Sequence, residues 1–179
     1  MKKETLYKGN IFTLNRERLH DHDWEIIRHP GGVGVQVVRD GKMLFVRQYR
    51  PAVNACTLEI PAGKLEYGED PLTCGLRELN EETGLTCSSM TLIQKFWSTP
   101  GFCDEMLYIY QAHDPEPALH RLDPDPDEDL ELVWLDLPEA LAMAQRNEIC
   151  DGKTLIAVYL AVLEHTGGCR FSDTGAAGE

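Results

Sequence analysis

Apolar and polar residues alternate along several short stretches of the chain, and such alternation marks half-buried strands. Val33-Gly34-Val35-Gln36-Val37-Val38 and Met43-Leu44-Phe45-Val46 flank Asp40-Gly41, a combination that predicts a β-hairpin. Met90 to Trp97, Met106 to Ala112 and Leu130 to Leu135 read as further strands from their β-branched and aromatic content. Helical periodicity occupies three segments. Asp70-Pro71 supplies an N-cap with proline in the first turn, and Gly84 suits the position just past a helix end, so the spacing predicts a helix over 71–83. A second helix starts near Pro138 and runs to about Arg146; a third follows Asp151 and stops at Gly167-Gly168. Two earlier runs, Ile11-Phe12-Thr13-Leu14 and Trp24-Glu25-Ile26-Ile27, make residues 1–30 a small β-rich extension. Strands before, between and after helices predict a mixed α/β (α+β) layer fold. The organisation expected is an extension over 1–30, a main domain over 31–168 and a flexible tail over 169–179.

Composition narrows the class. With 179 residues, 42% hydrophobic and 26% charged, the chain can bury a single globular core. No run approaches the ~18 apolar residues of a membrane span. The opening Met1-Lys2-Lys3-Glu4 has no apolar signal region. A cytoplasmic protein without a membrane partner is expected. The six cysteines form no C-x-x-C pair and read as small core residues or free thiols. A net charge of -13 argues against nucleic acid as partner, because such sites leave a basic footprint. About half of that excess lies between residues 114 and 131, where Asp114, Glu116, Asp123, Asp125, Asp127, Glu128, Asp129 and Glu131 face only Arg121. A small phosphate ligand stays compatible if a metal supplies positive charge. The histidines form no helical zinc pattern, and His20-x-His22 reads as an exposed polar loop.

The most informative segment is Arg77-Glu78-Leu79-Asn80-Glu81-Glu82. On a helix Glu78 neighbours Glu81 and Glu82, at i+3 and i+4, while Leu72, Leu76, Leu79 and Thr83 form an apolar stripe expected to meet the core. At ~100° per residue the carboxylates centre roughly 140° from that stripe. Like charges at this spacing oppose the helix by a few tenths of a kcal/mol, a sign that a divalent cation would reverse. A solvated acidic face is the plain alternative; three oxygen ligands with open positions also suit Mg²⁺ or Mn²⁺.

The surroundings decide between them. Gly63-x5-Glu69-x7-Arg77-Glu78-Leu79-x-Glu81-Glu82-x-Gly84-Leu85 matches the Nudix box at each of its defined positions, over 23 residues. The chain therefore resembles a Nudix hydrolase. That resemblance implies a mixed sheet sandwiched between helices and metal-assisted hydrolysis of a nucleoside diphosphate linked to a second group. It also implies that Glu78 and Glu82 bind Mg²⁺ with Glu81 close by, that Arg77 orients a carboxylate, and that Gly63 permits a sharp loop. The Ala62 carbonyl would complete the metal shell. Cys74-Gly75 departs from the small alanines common there, which touches helix packing and not ligands.

Features outside the box resemble ADP-ribose pyrophosphatases within that family. Pro100 lies 16 residues after Gly84, inside Ser98-Thr99-Pro100-Gly101-Phe102-Cys103-Asp104-Glu105, similar to that group's downstream proline signature. By resemblance Gly101 and Glu105 belong to the substrate site. Phe45-Val46-Arg47-Gln48-Tyr49-Arg50-Pro51 leads into Leu58-Glu59-Ile60-Pro61-Ala62-Gly63, and the arginine matching Arg50 contacts a substrate phosphate. Arg47 reads as a surface or ion-pair residue. The extension matches in size and character the swapped segment of a homodimer that holds adenine, so Trp24 is either an adenine contact or buried in the dimer interface. In the matching loop of those enzymes a glutamate serves as metal ligand or general base; by resemblance it falls at Glu128, the alternatives being Asp127 or Asp129, or no catalytic loop acid. Expected chemistry is Mg²⁺-dependent cleavage of ADP-ribose to AMP and ribose 5-phosphate, with Mn²⁺ as a substitute. GDP-mannose and ADP-glucose are alternative nucleotide-sugar substrates, and a non-catalytic ligand sensor is the alternative from another class.

Overall fold

The computed structural model describes residues 3–123 and 129–168, in twelve strands and three helices. Three strands, β1 (Lys3–Lys8), β2 (Thr13–Leu19) and β3 (His22–Arg28), pair antiparallel as a separate N-terminal sheet. The main sheet contains β4 (Gly32–Arg39), β5 (Lys42–Arg50), β6 (Ala55–Glu59), β7 (Ala62–Lys64), β9 (Ser89–Trp97), β10 (Met106–His113) and β12 (Glu131–Asp136). Short strands β8 (Leu85–Thr86) and β11 (Glu116–Pro117) pair with each other. The helices are α1 (Pro71–Thr83), α2 (Leu137–Gln145) and α3 (Gly152–His165).

Along the main sheet the order is β12-β5-β4-β10-β9, antiparallel except for the β4–β10 pair. The expected hairpin forms at Asp40-Gly41, but β4 and β5 stay paired only through Val38–Met43 and Arg39–Lys42. Beyond that they splay. The far end of β5 pairs with β6, and the far end of β4 pairs with β7, so the segment from Glu59 to Gly63 fills the wedge between them. That wedge positions the site described below.

Helices cover both faces of the sheet. Val33, Val35 and Val37 belong to the buried clusters on the side of Cys74 and Leu79 in α1. Phe45, Ile60 and Ile109 join Ala140, Ala144, Ala157 and Val158 from α2 and α3 on the other. Buried Gln36 points to that second side and donates from Nε2 to the Ala157 carbonyl at 2.8 Å. Asp70 caps α1 by accepting from the Thr73 amide at 3.0 Å, and Gly84 ends it in the left-handed region at φ 69°.

One packing expectation is corrected. Leu79 and Thr83 are buried, but Leu72 and Leu76 are exposed, and the buried side of α1 includes Cys74, Gly75, Glu78 and Glu82. The helix is rotated so that two carboxylates face the protein. Gly75 makes this possible by letting α1 approach closely: a Cβ there would lie 3.2 Å from Val33. The tail over 169–179 lies outside the described residues. No helix among the described residues is long and apolar enough to cross a membrane.

Candidate active site

A cleft of about 750 Å³ opens at the wedge, lined from α1 by Arg77, Glu78 and Glu81, from β7 by Ala62 and Gly63, and from β5 by Arg50. Its remaining walls include His29, Glu105, Asp151, Gly152 and Lys153.

Arg77 organises the acidic wall. Its Nε donates to Glu69 at 3.0 Å, and its Nη1 donates to Glu78 at 2.7 Å and to Glu81 at 2.8 Å. The Glu69 hydrogen bond, with the charge of Glu78 and the hydrogen bonds to Glu81 and Glu78, raises the Arg77 pKa further, so the guanidinium is a permanent cation. Glu69 is held below the usual carboxylate range, chiefly by the same hydrogen bond. Burial, with help from Glu69 and Glu78, pushes the Cys74 thiol up to about 12, which leaves it un-ionised and inert.

The box acids meet the preceding loop at close range. Glu82, 2% exposed, accepts from the Ala62 amide at 2.8 Å through Oε2. Glu78 occupies the space a side chain at Gly63 would need: a Cβ there would fall inside the Glu78 carboxylate. Gly63 is therefore required for close approach.

Arg50 approaches from the other side. Its Nε and Nη2 each donate to buried Glu59 at 2.8 Å, a bidentate pair, so most of its fork is already engaged. Lys153 Nζ donates to Glu59 at 2.5 Å and lies 3.0 Å from Asp151. Burial alone would raise the Glu59 carboxyl, but hydrogen bonds and charge from Arg50 and Lys153 hold it at about 2. The hydrogen bonds to Glu59 are the main cause that raises the Arg50 pKa, and the charges of Glu82 and Asp151 add to it.

The structure gathers Arg50, Ala62, Arg77, Glu78, Glu81 and Glu105 at one cleft, with Glu82 buried directly behind Ala62. Trp24, half exposed on the N-terminal sheet, and Gly101 are not among the residues lining it. Glu128 and Asp127 lie outside the described residues. Arg47 is an exposed ion-pair residue, 3.6 Å from Glu131. Glu105 sits 3.4 Å from His29 Nδ1, which accepts from the Gly31 amide at 3.0 Å. Sequence reasoning missed His29, Glu59 and Lys153. The only available signal was Asp151-Gly152-Lys153-Thr154, an N-cap pattern that announces a helix and not a cleft.

Among the described residues no group of three or more acidic, histidine or cysteine side chains is gathered tightly enough to hold an ion as it stands. The carboxylates are drawn onto Arg77 and the Ala62 amide instead. Their chemistry nonetheless fits: Glu78, Glu82 and the Ala62 carbonyl form an oxygen-only set beside a loop whose missing side chain makes room for one of them.

The NUDIX domain model matches residues 28–155. The chain is 37% identical to an ADP-ribose pyrophosphatase of Bacillus subtilis, covering 90% of this chain and 91% of that protein. It is 39% identical to a methanol dehydrogenase activator of Bacillus methanolicus, covering 92% of each. A solved structure described as an ADP compounds hydrolase superposes with a TM-score of 0.78 at 21% identity, covering 94% of this chain and 95% of that one, a likeness of fold.

Proposed function

The chain belongs to the NUDIX family, and from that premise we propose that it hydrolyses the pyrophosphate of ADP-ribose to AMP and ribose 5-phosphate with Mg²⁺. The observation that carries the reading is the pairing of walls in one cleft: oxygen donors ordered by Arg77, and cations ordered by Glu59. A diphosphate needs both, and about 750 Å³ is in the range of small-molecule sites. The B. subtilis relative named for ADP-ribose supports the choice of substrate.

Glu78, Glu82 and the Ala62 carbonyl would hold Mg²⁺, or Mn²⁺ in its place. Bound there, the ion supplies charge neutralisation and an acidified water. The protein's own groups do the rest. Arg77 holds Glu78 and Glu81 in orientation through its Nη1 hydrogen bonds. Arg50 offers a phosphate the part of its fork that Glu59 does not occupy, and Glu105 provides an acceptor for sugar hydroxyls. Glu128 is assigned as the loop acid that completes the catalytic set. A homodimer through the N-terminal sheet, with Trp24 at the interface or against adenine, and a cytoplasmic location belong to the same proposal.

A second reading, a ligand-responsive regulator, has one observation in its favour, the activator relative at 39% identity. A panel of ADP-ribose, ADP-glucose and GDP-mannose with Mg²⁺, with products separated by chromatography, tests both. Fastest turnover of ADP-ribose is expected. Faster turnover of another nucleotide sugar would move the substrate assignment, and binding without turnover of any would favour the regulator.

A further inference from the structure

Residues 59 to 63 are each fixed by a different part of the fold. The Glu59 side chain is held by Arg50 and Lys153, the Pro61 carbonyl accepts from the Val35 amide at 2.8 Å, the Ala62 amide donates to Glu82, and Gly63 abuts Glu78. Ile60 is the remaining link. Its amide donates to Thr154 Oγ1 at 2.9 Å, across 94 residues of sequence. Thr154 is fully buried, and its hydroxyl in turn donates to Asp151 Oδ2 at 2.6 Å, the same oxygen that caps α3 by accepting from the Thr154 amide at 3.0 Å.

We propose that Thr154 is a positioning residue for the metal-binding loop: through Ile60 it sets where the Ala62 carbonyl lies relative to Glu82. This rests on the reading above that Ala62 and Glu82 hold the ion. The geometry explains why a hydroxyl is needed. A buried amide left without an acceptor is costly, and the chain avoids that cost by shifting the segment until the amide finds another partner. A shift at Ile60 acts on Ala62, two residues on, through Pro61, whose ring fixes its own φ, and pulls against the Val35 and Glu82 hydrogen bonds that hold Pro61 and Ala62. Thr154 also ties that loop to the start of α3, where the N-cap Asp151 and Lys153 lie. The oxygen-donor wall and the cationic wall thereby keep a fixed spacing, which a substrate spanning both requires.

The test compares Thr154→Val, which keeps the shape and deletes the hydroxyl, with Thr154→Ser, which keeps the hydroxyl. Mn²⁺ alone is titrated into each protein and free Mn²⁺ is read by electron paramagnetic resonance, well below the melting temperature. Thr154→Val should weaken Mn²⁺ binding by about tenfold or more, as loss of a group supporting a metal ligand does, and Thr154→Ser should restore most of it. A Thr154→Val protein that melts earlier yet binds Mn²⁺ like wild type would make Thr154 merely structural and overturn the inference. Wild type that binds no Mn²⁺ removes the metal reading itself, and the inference with it. If Thr154→Val does not fold, amide hydrogen exchange of wild type decides. An Ile60 amide exchanging as slowly as the core strands supports the link; one exchanging like an exposed loop sinks it.

Discussion

The two walls of the cleft are built by opposite strategies. The acidic wall comes from one stretch, Ala62 to Glu82, in which Arg77 reaches Glu69, Glu78 and Glu81 without leaving its own neighbourhood. The cationic wall is assembled from Arg50 on β5, Glu59 at the end of β6, and Asp151 and Lys153 at the start of α3. Its central carboxylate serves two cations that lie 9 and 94 residues away. A contiguous wall can be read from spacing along a helix. A dispersed wall exists only once the sheet has splayed and α3 has docked. The difference implies that substitutions in the first should injure chemistry more than folding, and substitutions in the second should injure both.

The largest effect is expected at Glu82. Glu82→Gln keeps an acceptor for the Ala62 amide but loses the charge, so kcat should fall at least ~10²-fold. Stability should stay within about 1 kcal/mol, because the hydrogen bond at this buried site survives. Steady-state kinetics at saturating Mg²⁺ with a parallel urea titration checks both halves. A Glu82→Gln protein that unfolds, or keeps its kcat, would make the acidic wall structural and erase the contrast.

How the two walls were legible follows the same division. The limits of α1, its Asp70 cap and the grouping of Glu78, Glu81 and Glu82 are local consequences of a 3.6-residue repeat, and the structure reproduces them. The rotation of α1 was not legible. Leu72 and Leu76 complete an apolar stripe on paper, yet close approach at Gly75 turns them outward and buries Glu78 and Glu82. The short strands β6 and β7 escaped notice because Pro61 interrupts them and their pairing is dictated by the divergence of β4 from β5. Nothing near Lys153 or Thr154 signals a partner at Glu59 or Ile60. Such contacts are long-range facts of the fold.

Acid should expose the cationic wall next. Glu59 titrates at about 2 in the folded protein, against an ordinary carboxylate value near 4.3 when unfolded. A depressed folded value contributes stability that is complete above the unfolded value and is lost as pH falls from about 5 toward 2. The amount is on the order of 3 kcal/mol. Glu59→Gln should therefore be less stable than wild type at neutral pH by a comparable amount, and its stability should fall less steeply between pH 5 and 2. Urea unfolding at stepped pH reads both. Equal slopes for the two proteins would mean that Arg50 and Lys153 do not depend on Glu59, and that the dispersed wall lacks its centre.

The smallest effect sharpens the contrast from within one strand. Arg47 and Arg50 both lie on β5, three residues apart, and by composition alone they are interchangeable candidates for phosphate. Their surroundings separate them. Arg50 forms a bidentate pair with a carboxylate that is 3% exposed, whereas Arg47 stands 3.6 Å from Glu131 with both side chains about half or more in water. An exposed pair of that kind contributes about 0–1 kcal/mol, because solvent screens the attraction and holding two long side chains costs entropy. Because Arg47 is absent from the cleft lining, Arg47→Met should shift stability by less than ~1 kcal/mol and leave KM for ADP-ribose within about twofold. Arg50→Met removes a phosphate donor and half of the Glu59 pairing, so its KM should rise by about tenfold, with lower stability. Measuring the two variants side by side decides the matter: a KM that responds to Arg47 and ignores Arg50 would transfer the cationic wall to the solvent face of β5, and the pairing of walls would fail.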